Sequence, residues 1–259
     1  MVRSYLFIGL FLATNSTLAL LYPLTLARFL AFTAIYGLGT GIMLYLLFHP
    51  TNDWLVPNRS QVEGATEVAL TFDDGPDPVD TPRLLDLLRD KGIKATFFVV
   101  GRRAEQYPEI VHRAWEEGHL IGNHTWSHQP IFCFLPPWRL RCEIECGTES
   151  VRLACGHRPR YFRSPVGLRH PFLRPYLAQA GLEFVSWRLR SRDTSIRNSG
   201  TLARRILDKT KGGDIILLHD HRPRGAKTML EALPGVIDSL RARGFSFVLA
   251  GSREESECA

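Results

Sequence analysis

Two long apolar segments open the chain. Residues 5–22 contain no charged side chain over 18 positions, and residues 29–48 contain none over 20. Each approaches the length of about 20 residues that an α-helix needs to cross the hydrocarbon core of a bilayer. Pro23 and Arg28 stand between them, as in a turn at a membrane surface. The pattern predicts a transmembrane hairpin, two helices within residues 1–50.

The first segment leaves other interpretations open. Residues 15–17 (Asn-Ser-Thr) make its middle less apolar, and residues 13–19 contain small side chains of the kind found at signal-peptide cleavage sites. A single uncleaved anchor and a cleaved signal are therefore alternatives to the hairpin. Arg3 and Arg28 favour opposite orientations. We expect an integral protein of the cell membrane, with the side that faces its soluble part undetermined.

The rest of the chain alternates between two kinds of pattern. Residues 51–65 are polar, carry Pro57 and Gly64, and are predicted to be a linker. Beyond them, short β-branched and aromatic runs alternate with amphipathic stretches, which predicts strands and helices in turn. We expect one domain over residues 66–251 and a tail at 252–259. Strands are predicted at Glu67–Phe72, Ala95–Val100, Leu120–Ile121, Tyr161–Arg163, Leu182–Trp187, Asp214–Leu218 and Phe245–Leu249, and helices at Thr81–Lys91, Ala104–Glu117, Trp138–Cys155, Pro171–Ala180, Leu202–Lys211 and Thr228–Arg243.

This alternation predicts an α/β fold. Strands separated by helices imply a parallel sheet of about seven strands. No glycine-rich fingerprint follows the first strand, so a distorted or incomplete (β/α) barrel is favoured over an open, doubly wound sheet. In a barrel of this kind, functional side chains lie where the strands end.

Composition excludes several classes of function. The chain has 32 Lys and Arg against 26 Asp and Glu, a net charge of +6. This excess is spread along the chain rather than clustered with aromatic residues, so nucleic acid is not an expected partner; anionic lipid or glycan is. The five cysteines form no C-x-x-C pair, so neither a disulfide scaffold nor a zinc knuckle is indicated. The oligomeric state is undetermined.

Two pairs of ionisable residues follow predicted strands. Asp73 and Asp74 come after the first strand, in Thr-Phe-Asp-Asp-Gly-Pro, and carboxylates this close need a cation or a shared proton. His124 and His128 come after the third strand, and their spacing suggests one helical turn that binds one metal ion. Asp74, His124 and His128 thus predict a metal site with open positions, which is typical of catalysis. A divalent ion is expected, with Zn²⁺ the first choice.

Three more strand ends carry one ionisable group each. Arg163 follows the fourth strand, Asp193 the fifth, and His219 comes at the end of the sixth. With Thr-Phe-Asp-Asp-Gly-Pro and His-x-x-x-His, these segments resemble the polysaccharide deacetylase family (NodB homology, carbohydrate esterase family 4) over residues 67–249. The resemblance implies a catalytic base at Asp73, metal ligands at Asp74, His124 and His128, an arginine that positions the base at Arg163, a general acid at His219, a carboxylate that orients this acid at Asp193, and an acetyl-pocket residue at Leu217.

The chemistry of amide hydrolysis is consistent with each implied role. A metal ion polarises the amide carbonyl and acidifies the attacking water. Asp73 would take the proton of that water. His219 would protonate the departing amine, because an amide anion is a poor leaving group.

The sequence departs from the family pattern at two positions. Val166 stands where an aromatic residue is usual. Its backbone N–H is still available to an oxyanion, but the aromatic surface on which a sugar would stack is lost. Thr194 stands where tryptophan is usual. Trp126, inside the His-x-x-x-His segment, is a candidate for stacking on the substrate, with core packing as the alternative.

We therefore expect a membrane-anchored, metal-dependent hydrolase that removes the N-acetyl group of an amino sugar in a cell-envelope polysaccharide or oligosaccharide. One alternative keeps this chemistry but acts on a lipid-linked amino sugar, as a deacetylase or deformylase. A second alternative is a catalytically inactive glycan-binding membrane protein.

Overall fold

A parallel β-sheet forms the centre of the structure, a computed structural model that describes residues 25–221 and 226–253. Eight strands follow the order β1-β6-β5-β4-β3-β2-β8-β7, and the ninth pairs with the start of β2. The strands are β1 (Asn58–Arg59), β2 (Glu67–Asp73), β3 (Thr96–Val99), β4 (Leu120–Asn123), β5 (Tyr161–Phe162), β6 (Glu183–Val185), β7 (Leu189–Arg190), β8 (Ile215–His219) and β9 (Ser246–Phe247).

The sheet curls because β6 and β7 belong to one extended segment. Only residues 186–188 separate them, yet β6 pairs with β5 while β7 pairs with β8. The same segment therefore pairs with both ends of the series β5-β4-β3-β2-β8, which bends that series into a distorted barrel. The predicted α/β fold with an incomplete parallel barrel is confirmed.

Helices cover the outside of this barrel. Along β2, Leu70 and Phe72 pack into the core between sheet and helices, whereas Ala69 packs into the barrel interior. This period of two sends Thr71 and Asp73 inward as well. The helices are α1 (Leu26–Phe48), α2 (Asp80–Asp90), α3 (Gly101–Gln106), α4 (Pro108–Glu116), α5 (Pro137–Cys155), α6 (Leu173–Ala180), α7 (Ser199–Lys209) and α8 (Lys227–Ala242).

Three local features differ from the sequence expectation. The helix predicted at Ala104–Glu117 is two helices, because Pro108 has no N–H to continue α3 and instead begins α4. Strand β7 was not predicted, since two residues are too few to show alternation. The predicted linker, residues 51–65, contains β1, which pairs with β6. The domain limits themselves stay a prediction.

Helix α1 covers the second predicted membrane segment. Residues 29–48 are long and apolar enough to cross a membrane, and most of their large side chains, such as Leu38 and Tyr45, are exposed. The first predicted segment, residues 5–22, lies outside the described residues, so the hairpin stays a prediction. One apolar N-terminal helix is compatible with a membrane span or a signal anchor.

Candidate active site

Unusual backbone conformations lie at the carboxyl ends of the strands. Within residues 25–221 and 226–253, five residues other than glycine have positive φ. This conformation is costly for residues with a Cβ, most of all for a β-branched one, and it is often found at functional sites. The five are Asp74 after β2, Thr125 and His128 after β4, Val166 after β5 and Arg192 after β7.

Asp73 and Asp74 reach the same site although they are adjacent. Asp73 ends β2 and faces the barrel interior, where it is buried. Its neighbour would point to the opposite face of a continued strand. Asp74 instead has φ 75°, which turns its carboxylate towards the histidines that follow β4.

Arg163 fixes the carboxylate of Asp73. Its Nη1 donates to Oδ1 of Asp73 and to Oγ1 of Thr71, both at 2.7 Å. Its other nitrogens donate to the carbonyls of Val185 and Ser186 at 3.2 and 2.9 Å. The guanidinium is wholly buried, and together these hydrogen bonds hold it in one orientation. Asp73 is thereby held in place by a group that itself has little freedom.

Asp74, His124 and His128 form one cluster. Oδ1 of Asp74 lies 3.0 Å from Nε2 of His128 and 3.4 Å from Nε2 of His124. One ligand-capable atom from each residue lies within 4.8 Å of the others. The structure thus brings together the three residues predicted as metal ligands.

The donor set fits a divalent first-row metal. Two imidazole nitrogens and one carboxylate oxygen are ligands that Zn²⁺ and other divalent first-row metal ions accept in catalytic sites. Nδ1 of His124 lies 2.8 Å from the carbonyl of Arg163, to which it donates its hydrogen, so Nε2 is the ring nitrogen that faces the cluster. Burial acts to raise the pKa of Asp74, but hydrogen bonds and charge from His124 and His128 outweigh it and hold that pKa well below its usual range. The carboxylate is therefore ready to bind a cation.

The ligand segment is a turn, and the predicted helical turn is wrong. Residues 124–128 have no helix, because Thr125 and His128 both adopt positive φ. Glu143 of α5 holds the turn: its carboxylate accepts from the backbone N–H and the hydroxyl of Ser127 at 2.8 and 2.5 Å. Its carbonyl accepts from the N–H of Trp126. A loop clamped by a neighbouring helix, rather than a helix, sets the two histidines.

His219 and Asp193 form a second pair at the same end of the barrel. His219 ends β8 directly beside Asp73 of β2, since the two residues are partners in the strand register. Nδ1 of His219 lies 2.9 Å from Oδ1 of Asp193, which is fully buried. Burial lowers the pKa of His219, but the hydrogen bond and charge of Asp193 outweigh burial and raise it. The ring is thus held protonated to higher pH, with Nε2 free to donate.

Comparison with known proteins identifies the family. The family model described as polysaccharide deacetylase matches residues 61–185. A chitooligosaccharide deacetylase of Bradyrhizobium sp. (strain ANU 289) is 34% identical over 199 residues, which are 73% of this chain and 90% of that protein. The chain belongs to the polysaccharide deacetylase family. The predicted enzyme class, a hydrolase of carbon–nitrogen bonds other than peptide bonds, is confirmed with it, because the family hydrolyses the amides of N-acetyl sugars.

Two further polysaccharide deacetylases extend the comparison. A peptidoglycan-N-acetylglucosamine deacetylase of Bacillus cereus (strain ATCC 14579) is 35% identical over 182 residues, which are 70% of this chain and 66% of that protein. The crystal structure of the Bc1960 peptidoglycan N-acetylglucosamine deacetylase matches with a TM-score of 0.68 and 34% identity over 74% of this chain and 89% of that one. Helix α1 lies outside the residues that the family model matches.

The three predicted substrate-binding residues occupy different positions in this polysaccharide deacetylase. Leu217 is buried in the barrel interior. Val166 is exposed after β5, and its φ of 58° is a costly conformation because valine, like Thr125 among the five, is β-branched. Trp126 contacts α3: Arg102 lies over its ring at 4.2 Å and its Nε1 donates to Glu105. The substrate-binding roles stay predictions.

Several supporting residues were not predicted from the sequence. Thr71, Glu143 and Ser191 hold Arg163, the histidine turn and Asp193, respectively. His221, two residues after His219, has its Nδ1 2.8 Å from Oδ2 of Asp77. Thr71 shows one usable signal, a hydroxyl two residues before Asp73 on the inward face of a buried strand. The contacts of Glu143 cross from another helix and leave no local trace in the sequence.

A cavity opens beside the cluster of Asp74, His124 and His128. It has a volume of about 510 Å³, within the usual range for small-ligand sites. Asp74 and His128 form part of its wall, so a molecule in the cavity reaches the cluster directly. The other lining residues are Val100, Arg102, Arg103, Gln106, Ser127 and His221.

Proposed function

We propose that this polysaccharide deacetylase hydrolyses the N-acetyl amide of an amino sugar with the help of a divalent metal, Zn²⁺ as first choice. One observation carries the proposal. Asp73 with Arg163, His219 with Asp193, and the cluster of Asp74, His124 and His128 meet at one end of the barrel beside a cavity. Base, acid and metal ligands are the full set that metal-assisted amide hydrolysis needs.

The metal would be held by Asp74, His124 and His128. Bound there, it would supply Lewis-acid polarisation of the amide carbonyl and of the attacking water. The carbonyl of Arg163 keeps the ring of His124 oriented by accepting from Nδ1. Arg163 thus acts on both halves of the site, through its carbonyl on a ligand and through its guanidinium on Asp73.

Asp73 is the proposed general base. Its Oδ1 is bonded to Arg163, which leaves Oδ2 turned towards the cluster, 3.8 Å from Nε2 of His124. An oxygen in this position accepts a proton from water that attacks the substrate carbonyl. Because Arg163 is itself fixed by two backbone carbonyls, Asp73 need not reorganise during the step.

His219 is the proposed general acid. Asp193 accepts from Nδ1 and so fixes the tautomer and the plane of the ring, leaving Nε2–H to protonate the departing amine. Asp193 also accepts from the backbone N–H of His219 at 2.9 Å and from Oγ of Ser191 at 3.0 Å. Three donors on a fully buried carboxylate make it a positioning group for the acid.

The backbone N–H of Val166 is the proposed oxyanion donor. This residue has a left-handed conformation although its side chain is valine. A fixed N–H aimed at developing negative charge typically contributes about 3 kcal/mol to the transition state. The backbone therefore supports catalysis at the position where the usual aromatic side chain is missing.

The substrate class follows from the relatives. Those compared above carry the names chitooligosaccharide deacetylase and peptidoglycan-N-acetylglucosamine deacetylase. We propose an N-acetyl amino sugar of a cell-envelope glycan, presented at the membrane in which α1 anchors the chain. A lipid-linked amino sugar is the second candidate, favoured by the exposed helix α1 and by the missing aromatic wall at Val166.

Acetate release tests the proposal. The metal-loaded full chain is incubated with acetylated chito-oligomers, peptidoglycan and a polyprenyl-linked N-acetyl amino sugar in vesicles, and the released acetate is measured. Release of acetate that Asp73→Asn abolishes supports the proposal. Absence of release from all three substrates, with metal bound, would favour the inactive glycan-binding alternative. Release from the free oligomers alone would exclude the lipid-linked candidate.

A further inference from the structure

A short segment that ends in the first turn of α5 exposes three large apolar side chains close together in the sequence. Ile131 is 58% exposed, Phe134 73% and Trp138 70%. Single exposed apolar residues are common on soluble proteins and need no explanation. Three within eight residues, including a tryptophan beside the exposed Arg139, are typical of a segment that contacts a membrane surface. We call residues 131–138 the apolar loop.

The fold imposes this exposure. Phe132 and Leu135 of the apolar loop are buried in a core that includes Leu168 and Leu173. A 3₁₀ turn over Phe132–Phe134 fixes the backbone between them. The backbone that carries the exposed side chains is therefore held in place by its buried neighbours.

The apolar loop and the end of helix α1 are held by two consecutive residues. Arg169, wholly buried, donates through its guanidinium to the carbonyls of His49 and Pro50, both at 2.7 Å. Its backbone N–H donates to the carbonyl of Leu47. His170 donates through Nε2 to the carbonyl of Leu135 at 2.9 Å. The apolar loop is thus adjacent to the point where α1 joins the barrel.

The junction of α1 with the barrel is rigid. The last carbonyls of a helix lack partners within the helix. Here Asn52 donates to the carbonyl of Leu46, and Ser186 and Asn58 join Arg169 on the carbonyl of Pro50. These hydrogen bonds fix the end of α1 to the barrel. The depth of that end of α1 in a bilayer therefore determines the depth of the apolar loop.

We infer that the apolar loop inserts Ile131, Phe134 and Trp138 into the bilayer surface at which α1 ends. This inference rests on the proposed membrane location of the chain. A bilayer is the occupant because Arg169 and His170 hold the apolar loop next to the end of an exposed helix that is long enough to span one. Only Gln129 and Pro130 separate the apolar loop from the ligand His128, so the metal cluster would lie next to the membrane surface, within reach of a sugar that the bilayer presents.

Depth-dependent quenching tests the inference without using activity. A fluorescent amino acid is placed at position 134 of the full chain in phosphatidylcholine vesicles that contain doxyl-labelled lipid. Leu153, 67% exposed on α5, is the matched control, and Leu38 reports on α1. We expect quenching at 134 at least threefold stronger than at 153. In the background of Ile131→Ser with Trp138→Ser the quenching at 134 should fall, whereas Leu153→Ser should leave it unchanged.

The outcomes separate this inference from the proposals it rests on. Quenching at 38 but not at 134 would overturn it and leave membrane anchoring intact. Absence of quenching at both positions would overturn the inference together with the anchoring. Because no outcome involves hydrolysis, each leaves the proposed deacetylase activity to its own test.

Discussion

Nδ1 of His219 lies 2.9 Å from Oδ1 of Asp193, while the backbone N–H of His219 donates to the other carboxylate oxygen at the same distance. The carboxylate therefore raises the pKa of His219 against the opposing effect of burial. If His219 is the general acid, activity falls as pH rises through this raised pKa.

Asp193→Asn should move the alkaline limb of the kcat profile to lower pH. Without the negative charge, burial dominates and the pKa of His219 falls; loss of an adjacent opposite charge typically shifts a pKa by about 1 to 3 units. Ser191→Ala removes a hydroxyl that donates to Asp193 but leaves the negative charge of Asp193, so the alkaline limb of this variant should move less. An unchanged limb in Asp193→Asn would exclude His219 as the titrating acid.

Metal removal should abolish activity reversibly. Chelator dialysis leaves Asp74, His124 and His128 without a cation, and added Zn²⁺ should restore acetate release and about one bound metal per chain. His128→Ala removes one of three ligands and should lower metal affinity by at least about tenfold. His112→Ala, at an exposed position on α4, is the control and should bind metal normally. Full activity of chelated protein would contradict the proposed mechanism.

The positions of the functional groups were predictable because these groups lie at the ends of strands, and the ends of strands can be predicted from the sequence. β2, β4 and β8 are buried and mostly apolar, and parallel strands bring their carboxyl ends to one side of the sheet. The local shape of the site was not predictable. The left-handed turns at Asp74 and His128 depend on contacts from other elements, such as those of Glu143 with Ser127.

The junction with α1 was hidden for a similar reason. Residues 51–65 are polar and contain proline and glycine, which is the composition of a linker. In the structure, Arg169 and Ser186, more than a hundred residues further along, bind the carbonyl of Pro50 just before that segment. Long-range hydrogen bonds to backbone carbonyls leave no periodic pattern in the sequence.

Val166→Tyr should raise activity on soluble oligomers. Val166 is exposed after β5, so an aromatic ring there meets solvent and substrate rather than core. Stacking on a sugar face would add about 0.5 to 1.5 kcal/mol, a gain of roughly 2- to 12-fold in kcat/KM for acetylated chito-oligomers. Val166→Leu, which adds apolar area without a ring, should change little. Equal gains in both variants would indicate a general apolar contact instead of stacking.

Stability should fall in acid partly because of His119. This side chain is wholly buried; its Nδ1 accepts from the N–H of Ala95 at 3.1 Å, and its Nε2 has no hydrogen-bond partner within the described part of the chain. Burial lowers its pKa to about 4, helped by the charges of Lys94, Arg253 and Arg113. The folded protein thus binds fewer protons than the unfolded chain between about pH 4 and 6.5.

The contribution of neutral His119 to the stability of the fold is therefore complete above pH 6.5 and is lost as the pH falls through 4. The loss by the end of this window is about 3 kcal/mol. His119→Asn keeps an acceptor for Ala95 and cannot titrate, so its free energy of unfolding should fall less steeply with acid. Urea unfolding of both proteins from pH 7 to 4.5, with His112→Asn as an exposed control, measures this difference. Because metal release affects all three proteins alike, parallel curves for wild type and His119→Asn would show that His119 is not a source of acid lability.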